Sequence, residues 1–184
     1  MNVVDRVKNI LLNPKSEWET IKGESASIQQ IYTRYLVIVA ALPAVGQLLG
    51  MARFGFGNSL RLAVTSYLVS LASVYVSALI VDNLANSFNS AKDMNQSFKL
   101  VAYALTPSYV AAVLAFLPGL GLLIGLAGAA YSVYIFYLGL PVLMRTPQDK
   151  VVPYMLAAFI VSIVVYFFLY AILGFIFGVS LLGG

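Results

Sequence analysis

The sequence predicts an all-α integral membrane protein, a bundle of five transmembrane helices preceded by a short amphipathic N-terminal helix. Only 18 of the 184 residues are charged, and 61% are hydrophobic, whereas a water-soluble domain carries roughly a quarter charged residues. The charges leave four windows without any charge, residues 35–52, 62–81, 100–144 and 151–184. Crossing a membrane takes about 20 apolar residues. These features exclude a soluble enzyme, a disordered chain and a disulfide scaffold.

The first 30 residues are predicted to form a cytoplasmic, interfacial segment ahead of a membrane domain at 31–184. Five apolar residues share one helical face opposite charged residues: Val3, Val4, Val7, Ile10 and Leu11. A helix of this kind lies in the headgroup plane of a membrane. Trp18, the single tryptophan, is predicted to anchor the segment at the interface, where tryptophan is enriched. The alternative is a docking surface for a cytoplasmic protein.

The windows predict spans at about 33–52, 61–82, 98–117, 120–144 and 152–178. No cleavable signal peptide is expected before the first span, which should itself direct insertion. The third window is too long for one helix and about right for two. Pro118 and Gly119 lie in its middle and are predicted to form the turn of a tight helical hairpin. The last window is predicted to hold one span with a frayed end.

Span 2 carries one face of small, hydroxylated residues. The face includes Ser66, Ser70, Ser73 and Ser77, spaced by alternating steps of four and three. Small residues allow close helix packing in lipid, and their hydroxyl groups can bond between helices. The alternative is that this face lines a polar cavity or a subunit interface.

Spans 3 and 4 add prolines and tyrosines. Pro107 should kink span 3, and the carbonyl that it leaves without a partner should be bonded by Thr106 or by a neighbouring helix. Gly139 and Pro141 are candidate hinge residues in span 4. Three tyrosines are predicted to direct hydroxyl groups towards other helices or a polar path: Tyr103, Tyr131 and Tyr134.

The distribution of Lys and Arg predicts the orientation of the bundle. With the N-terminus inside, nine of these residues lie on the inner side and two on the outer side. Cytoplasmic loops carry the excess of positive charge. We therefore expect a cytoplasmic N-terminus and an outward C-terminus.

The residues needed for common catalytic chemistry are missing. The chain has no Cys and no His, which removes thiolate chemistry, the commonest metal ligand and the usual general base. Asp82 lies at the predicted inner end of span 2 and is interpreted as a membrane-boundary residue. The sequence has no phosphate-binding loop, no metal-ligand cluster and no nucleic-acid-binding basic patch. We therefore predict no enzyme, cofactor, metal or nucleic-acid partner.

Several segments together resemble the Ypt-interacting protein (Yip) family, specifically its short bacterial branch. They are NPKSEWETI at 13–21, ALPAVG at 41–46, SFKLVAYALTPSYV at 97–110, LPGLG at 117–121 and YLGLPVLMRTPQDKVVPY at 137–154. The resemblance covers nearly the whole chain and implies five helices with a cytoplasmic N-terminus. Eukaryotic relatives act with small GTPases in vesicle traffic. Their long N-terminal region and DLYGP-type motif are absent here, so that activity is not transferred.

Two functional hypotheses follow. The first is a membrane-organising or partner-binding protein of the bacterial inner membrane. The second is a channel or transporter with a path lined by Ser, Thr and Tyr of spans 2 to 4. The expected partner is the lipid bilayer. A second copy of the chain and a protein bound to the N-terminal helix are further candidate partners.

Overall fold

The computed structural model describes residues 2–51, 55–114, 116–117 and 119–176. Over these residues the chain is helical, with 87% helix and no strands. The all-α class predicted from the sequence is therefore confirmed.

The N-terminal segment folds into two antiparallel helices, α1 (Val3–Leu12) and α2 (Pro14–Gly23). Asn2 caps α1, because its side-chain oxygen accepts a hydrogen bond from the Val4 amide at 2.7 Å. Pro14 occupies the first turn of α2, where its fixed backbone angle suits a helix start.

The next helices form the first candidate membrane span, Ile28–Gly50. They are α3 (Ile28–Ile31), a π-helical turn at Tyr32–Leu36, α4 (Val37–Val39) and α5 (Ala41–Met51). Ser27 and Gln30 form a reciprocal capping box at the start. A π-helical turn inside a helix is rare and often accompanies a functional site.

The second candidate span contains α6 (Phe56–Leu84), which continues as a 3-10 turn at Ala85–Phe88. The fourth and fifth predicted spans correspond to α9 (Gly121–Met144) and α10 (Gln148–Ile176). Both are long and apolar enough to cross a membrane.

The third predicted span is two short helices, α7 (Met94–Ala104) and α8 (Thr106–Val113). The break occurs at Leu105 because Pro107 has no amide hydrogen to donate to the Tyr103 carbonyl. Thr106 replaces that donor, with its hydroxyl 2.6 Å from the Tyr103 oxygen. With 11 and 8 residues, each helix is shorter than the roughly 20 residues of a crossing. The described residues thus contain four candidate spans, and the count of five is not confirmed.

The core of the bundle includes the N-terminal helices. Buried side chains from α1, α2, α7 and α9 form one continuous cluster, with Ile10, Trp18, Ile21, Leu100, Ile135 and Leu140 among its members. Ile135 lies nine residues, or about 14 Å, before the end of α9. The α1–α2 pair therefore packs alongside the middle of α9, and the apolar face of α1 contacts protein through Ile10, Val3 and Val7.

Candidate functional site

Two of the span 2 serines connect α6 to other helices. The Ser66 hydroxyl donates a hydrogen bond to the Gln47 side-chain oxygen at 2.6 Å, and the Ser70 and Tyr109 hydroxyls lie 2.6 Å apart. These bonds tie α6 to α5 and α8. The hydroxyls of Ser66 and Ser70 thus contribute to contacts between helices.

The other two serines, Ser73 and Ser77, line a cavity of about 580 Å³ between α6, α7, α9 and α10. We call this space the intramembrane cavity. Ser73 returns its hydroxyl to the Ser70 carbonyl of its own helix at 3.0 Å. Most of the remaining wall is apolar and includes Ala104, Leu105, Phe136, Ala158, Phe159 and Phe167.

Close contact between α8 and α9 closes one side of the cavity. The Ser108 hydroxyl lies 2.8 Å from the Ser132 hydroxyl, which also accepts the Ser108 amide at 3.0 Å. Gly128 permits this approach, because a Cβ at that position would collide with the Ala111 side chain. The helix break at Leu105 thus leaves the Ser108 amide without an acceptor in its own helix. The Ser132 hydroxyl of α9 accepts its hydrogen bond instead.

The three predicted tyrosines have different surroundings. Tyr131 donates a hydrogen bond to the Leu11 carbonyl at 2.7 Å, so it holds the end of α1. Tyr134 is 43% exposed and stacks on Tyr131 with 5.9 Å between ring centroids. Tyr103 is buried beside Tyr35 in an edge-to-face contact. Their rings are absent from the described wall of the intramembrane cavity.

The predicted turn and hinge residues also have defined positions. Gly119 has a φ of +76°, a backbone conformation that glycine adopts without steric cost. Pro141 lies inside α9 without ending the helix. Pro107 breaks span 3, as described above. Pro118 lies outside the described residues.

Trp18 lies in the protein core, whereas the sequence predicted a tryptophan in contact with lipid headgroups. Its ring is 1% exposed, and its indole N–H donates to the Ile135 carbonyl at 3.0 Å. Gly139 faces the ring, and a Cβ added there would lie 2.7 Å from the Trp18 Cε2 atom. The apolar pattern of a short helix is the same whether lipid or protein covers its apolar face. The sequence therefore did not distinguish a headgroup contact of Trp18 from a position in the protein core.

Asp82 lies in the last turn of α6 and is buried, and its assignment as a membrane-boundary residue stays a prediction. Its Oδ2 atom lies 3.9 Å from the Lys92 Nζ atom, and Oδ1 is buried without a hydrogen-bond partner among the described residues. The neighbouring Val81 carbonyl accepts a hydrogen bond from the Tyr154 hydroxyl.

A buried cluster of charges joins α1, α2 and α7, and sequence reasoning missed it. Arg6 Nη1 lies 2.5 Å from Glu17 Oε1, and Nη2 pairs with Glu24. The guanidinium also lies over the Tyr103 ring, 5.2 Å from its centroid. The signal was present in the sequence, since Arg6 shares the helical face of Val3 and Ile10.

Lys99 completes this cluster from α7. It is 2% exposed, and its Nζ atom donates to the Ile21 carbonyl at 3.1 Å and the Glu24 carbonyl at 2.6 Å. Both carbonyls are at the end of α2, where a positive charge interacts favourably with the helix dipole.

A second cavity, of about 500 Å³, lies between these charges and the start of the first candidate span. We call it the polar chamber. Its walls come from the start of α1, the end of α2, the π-helical turn and α7, and they include Asn2, Arg6, Glu24, Gln30, Arg34 and Tyr103. An apolar cavity and a polar cavity therefore lie on different sides of α7 among the described residues.

Comparisons with known proteins found a matching family model and similar bacterial proteins. The family model described as the Yip1 domain matches residues 8–172. The chain is also similar to the inner membrane protein YohC of Escherichia coli, in strains K12 and O6:H1. The identity is 25% over 161 residues, which is 80% of this chain and 83% of the relative. No solved structure matches the chain significantly.

Proposed function

Since the chain belongs to the Yip1 domain family of membrane proteins, we propose that it is a non-catalytic membrane-organising protein that holds one lipid by an acyl chain in the intramembrane cavity. The observation that carries the proposal is the cavity itself. Its volume of about 580 Å³ lies within the range of about 300–1,000 Å³ for small-molecule sites.

The position of the cavity supports an acyl chain as its occupant. Three of its four walls come from candidate membrane spans, namely α6, α9 and α10. A space between such helices meets lipid hydrocarbon, and an apolar wall favours an apolar ligand. The acyl chain of a membrane lipid satisfies both conditions.

The alternative function is a channel or transporter. One observation favours it: the helix break at Leu105 adjoins the cavity, and broken helices form binding sites in transporters. The hydroxyls of Ser66 and Ser70 are engaged by other helices, which favours the lipid proposal. If a transport path follows the face of α6 that carries Ser66, Ser70, Ser73 and Ser77, liposomes containing the protein should show solute or ion flux. That flux should fall when Ser70 and Ser73 are both replaced by Leu. Flux unchanged by this double substitution excludes that path.

We also propose a location in the bacterial inner membrane with the N-terminus in the cytoplasm. The name of the Escherichia coli relative and the distribution of Lys and Arg support this. A fifth crossing then consists of α7 and α8 together. The chain has no Cys, so a single cysteine introduced beyond α10 can be labelled from one side of intact cells, and labelling only from the inside contradicts the topology. A homo-oligomer and a protein bound to the N-terminal helices stay predictions.

Retention of lipid through purification tests the proposed function. Native mass spectrometry of protein extracted in mild detergent should show phospholipid bound to the chain. Ser162→Phe should remove one bound phospholipid per chain, because Ser162 lines the cavity and the added ring would fill the space of the acyl chain.

Val164→Phe is the matched control. Val164 lies on the same helix and is 64% exposed, so the substitution adds a ring outside the cavity. Both variants should elute and unfold like the parent protein. Equal lipid retention by the two variants, or no retained lipid in the parent, contradicts the proposal.

A further inference from the structure

The polar chamber presents mainly hydrogen-bond donors. The Asn2 side-chain oxygen accepts backbone amides of α1, and the Gln30 side-chain oxygen accepts the Ser27 amide. Each amide side chain has one oxygen and one NH₂ group. Since both oxygens are engaged by the backbone, Asn2 and Gln30 offer the chamber their NH₂ groups.

Tyr103 adds a donor at the base of the chamber. Its side chain is buried, with 4% exposure, and it lines the chamber. Its hydroxyl makes no hydrogen bond to the part of the chain that the structure describes, although the nearby Tyr35 hydroxyl is bonded to Thr106. The hydroxyl is therefore open to the chamber and can donate a hydrogen bond to a ligand there.

The charges around the chamber favour an anion. The chamber wall carries two positive charges, on Arg6 and Arg34, against one negative charge, on Glu24. Glu24 is a chamber wall residue of the opposite sign, but Arg6 pairs with one of its oxygens. The Arg34 side chain makes no ion pair or hydrogen bond within the described ranges, so its guanidinium is available for a ligand.

We propose that the polar chamber binds the phosphate group of a membrane phospholipid, with Arg34 and the Tyr103 hydroxyl as its main contacts. The chamber adjoins the start of the first candidate span, Ile28–Gly50, where lipid phosphates lie beside a membrane protein. Basic pockets between membrane helices bind such headgroups, and an arginine fork matches the geometry of phosphate oxygens. This site is separate from the intramembrane cavity and does not depend on its occupancy.

Titration with a soluble short-chain lipid tests the proposal. Dihexanoyl phosphatidylglycerol added to the purified protein in detergent should bind with a stoichiometry of one in isothermal titration calorimetry. Arg34→Gln should weaken binding roughly tenfold or more, as expected for the loss of a hydrogen bond to a charged group. Tyr103→Phe should weaken it about three- to tenfold by the loss of one hydroxyl donor.

The controls separate the chamber from general attraction between lipids and positive charge. Arg61→Gln removes an exposed arginine of α6 and should leave the affinity unchanged. Because the Arg34 side chain has no protein partner in the described ranges, Arg34→Gln should fold normally. Equal loss of affinity in the Arg34 and Arg61 variants, or no loss in either, overturns the proposal.

Two further ligands identify the source of the phosphate. Dihexanoylglycerol, which has no phosphate, should not bind to the chamber, and inorganic phosphate should bind at least tenfold more weakly than the lipid. Binding of dihexanoylglycerol as tight as that of the phospholipid overturns phosphate recognition. Equally tight binding of inorganic phosphate overturns the assignment to a lipid. Ser162→Phe should leave this titration unchanged, so failure here is distinguishable from failure of the acyl-chain proposal.

Discussion

A single methyl group at Gly139 should loosen the N-terminal helices from the bundle. A Cβ at this position would lie 2.7 Å from both Trp18 Cε2 and Leu100 Cδ1, well inside van der Waals contact. The indole cannot withdraw freely, because it is 1% exposed and donates to the Ile135 carbonyl of the same helix. Overpacking of a well-filled core costs about 1–3 kcal/mol, and loss of the indole hydrogen bond would add about 1 kcal/mol.

Unfolding in detergent, followed by circular dichroism, measures this cost. Gly125→Ala is the matched control, because Gly125 lies on the same helix and a Cβ there meets nothing within 4 Å. That variant should be unchanged or more stable by up to about 1 kcal/mol, since alanine favours helix more than glycine. The single tryptophan also reports the change directly, and its emission should shift to longer wavelength in Gly139→Ala only.

A double substitution tests whether the cost comes from this contact. In a Trp18→Phe background, the smaller ring leaves room for the added methyl group, so Gly139→Ala should cost less than in the parent. Coupling between residues in contact is about 0.5–3 kcal/mol. If Gly139→Ala is as stable as Gly125→Ala and leaves the emission unshifted, the packing of α2 against α9 described above is wrong.

Three further predictions concern the same part of the molecule. Arg6→Gln should lower the free energy of unfolding by about 3–5 kcal/mol, because it leaves the buried Glu17 carboxylate without its cation. Lys8→Gln, on the exposed face, should have little effect in the same denaturation assay. Tyr131→Phe should remove the hydrogen bond to α1 and cost about 1 kcal/mol, seen as faster proteolysis of the N-terminal segment, and Tyr134→Phe should be cleaved like the parent. Thr106→Val should cost about 1–3 kcal/mol, because a buried carbonyl at the helix break loses its donor, and Thr106→Ser should restore the thermal midpoint.

The break in span 3 shows what the sequence can predict. Pro107 lacks an amide hydrogen, and Thr106 is the nearest side chain able to replace it, so both the kink and its repair follow from local chemistry. The structure has the expected bond from the Thr106 hydroxyl to the Tyr103 carbonyl. The long apolar helices follow for a similar reason, because charge-free runs of about 20 residues determine them locally.

The location of the N-terminal helices could not be predicted in the same way. An amphipathic pattern identifies which face is covered but does not say whether lipid or protein covers it. Arg6 on the apolar face of α1 was the one contrary sign, because a charge at such a position requires a buried partner. Its partners Glu17 and Glu24 lie on the next helix and in the loop after it.

The serine face illustrates a limit of another kind. Its spacing places the side chains on one side of α6, but their roles depend on the helices that face them. Ser66 and Ser70 meet polar side chains of α5 and α8, whereas Ser73 and Ser77 face the cavity. Which serines bond to other helices and which face the cavity depends on tertiary packing. The spacing of residues along one helix does not predict that packing.

The docking of α1 and α2 against α9 has a consequence for the biogenesis of the protein. The contacts from Trp18 to Ile135 and from Tyr131 to Leu11 span 117 and 120 residues of the chain. At about 5–20 residues per second, a ribosome needs roughly 6–25 seconds to synthesise the intervening chain. During that time the first two helices have no bundle to join. Because α1 and α2 are made well before α9, their docking against it is a late step in assembly.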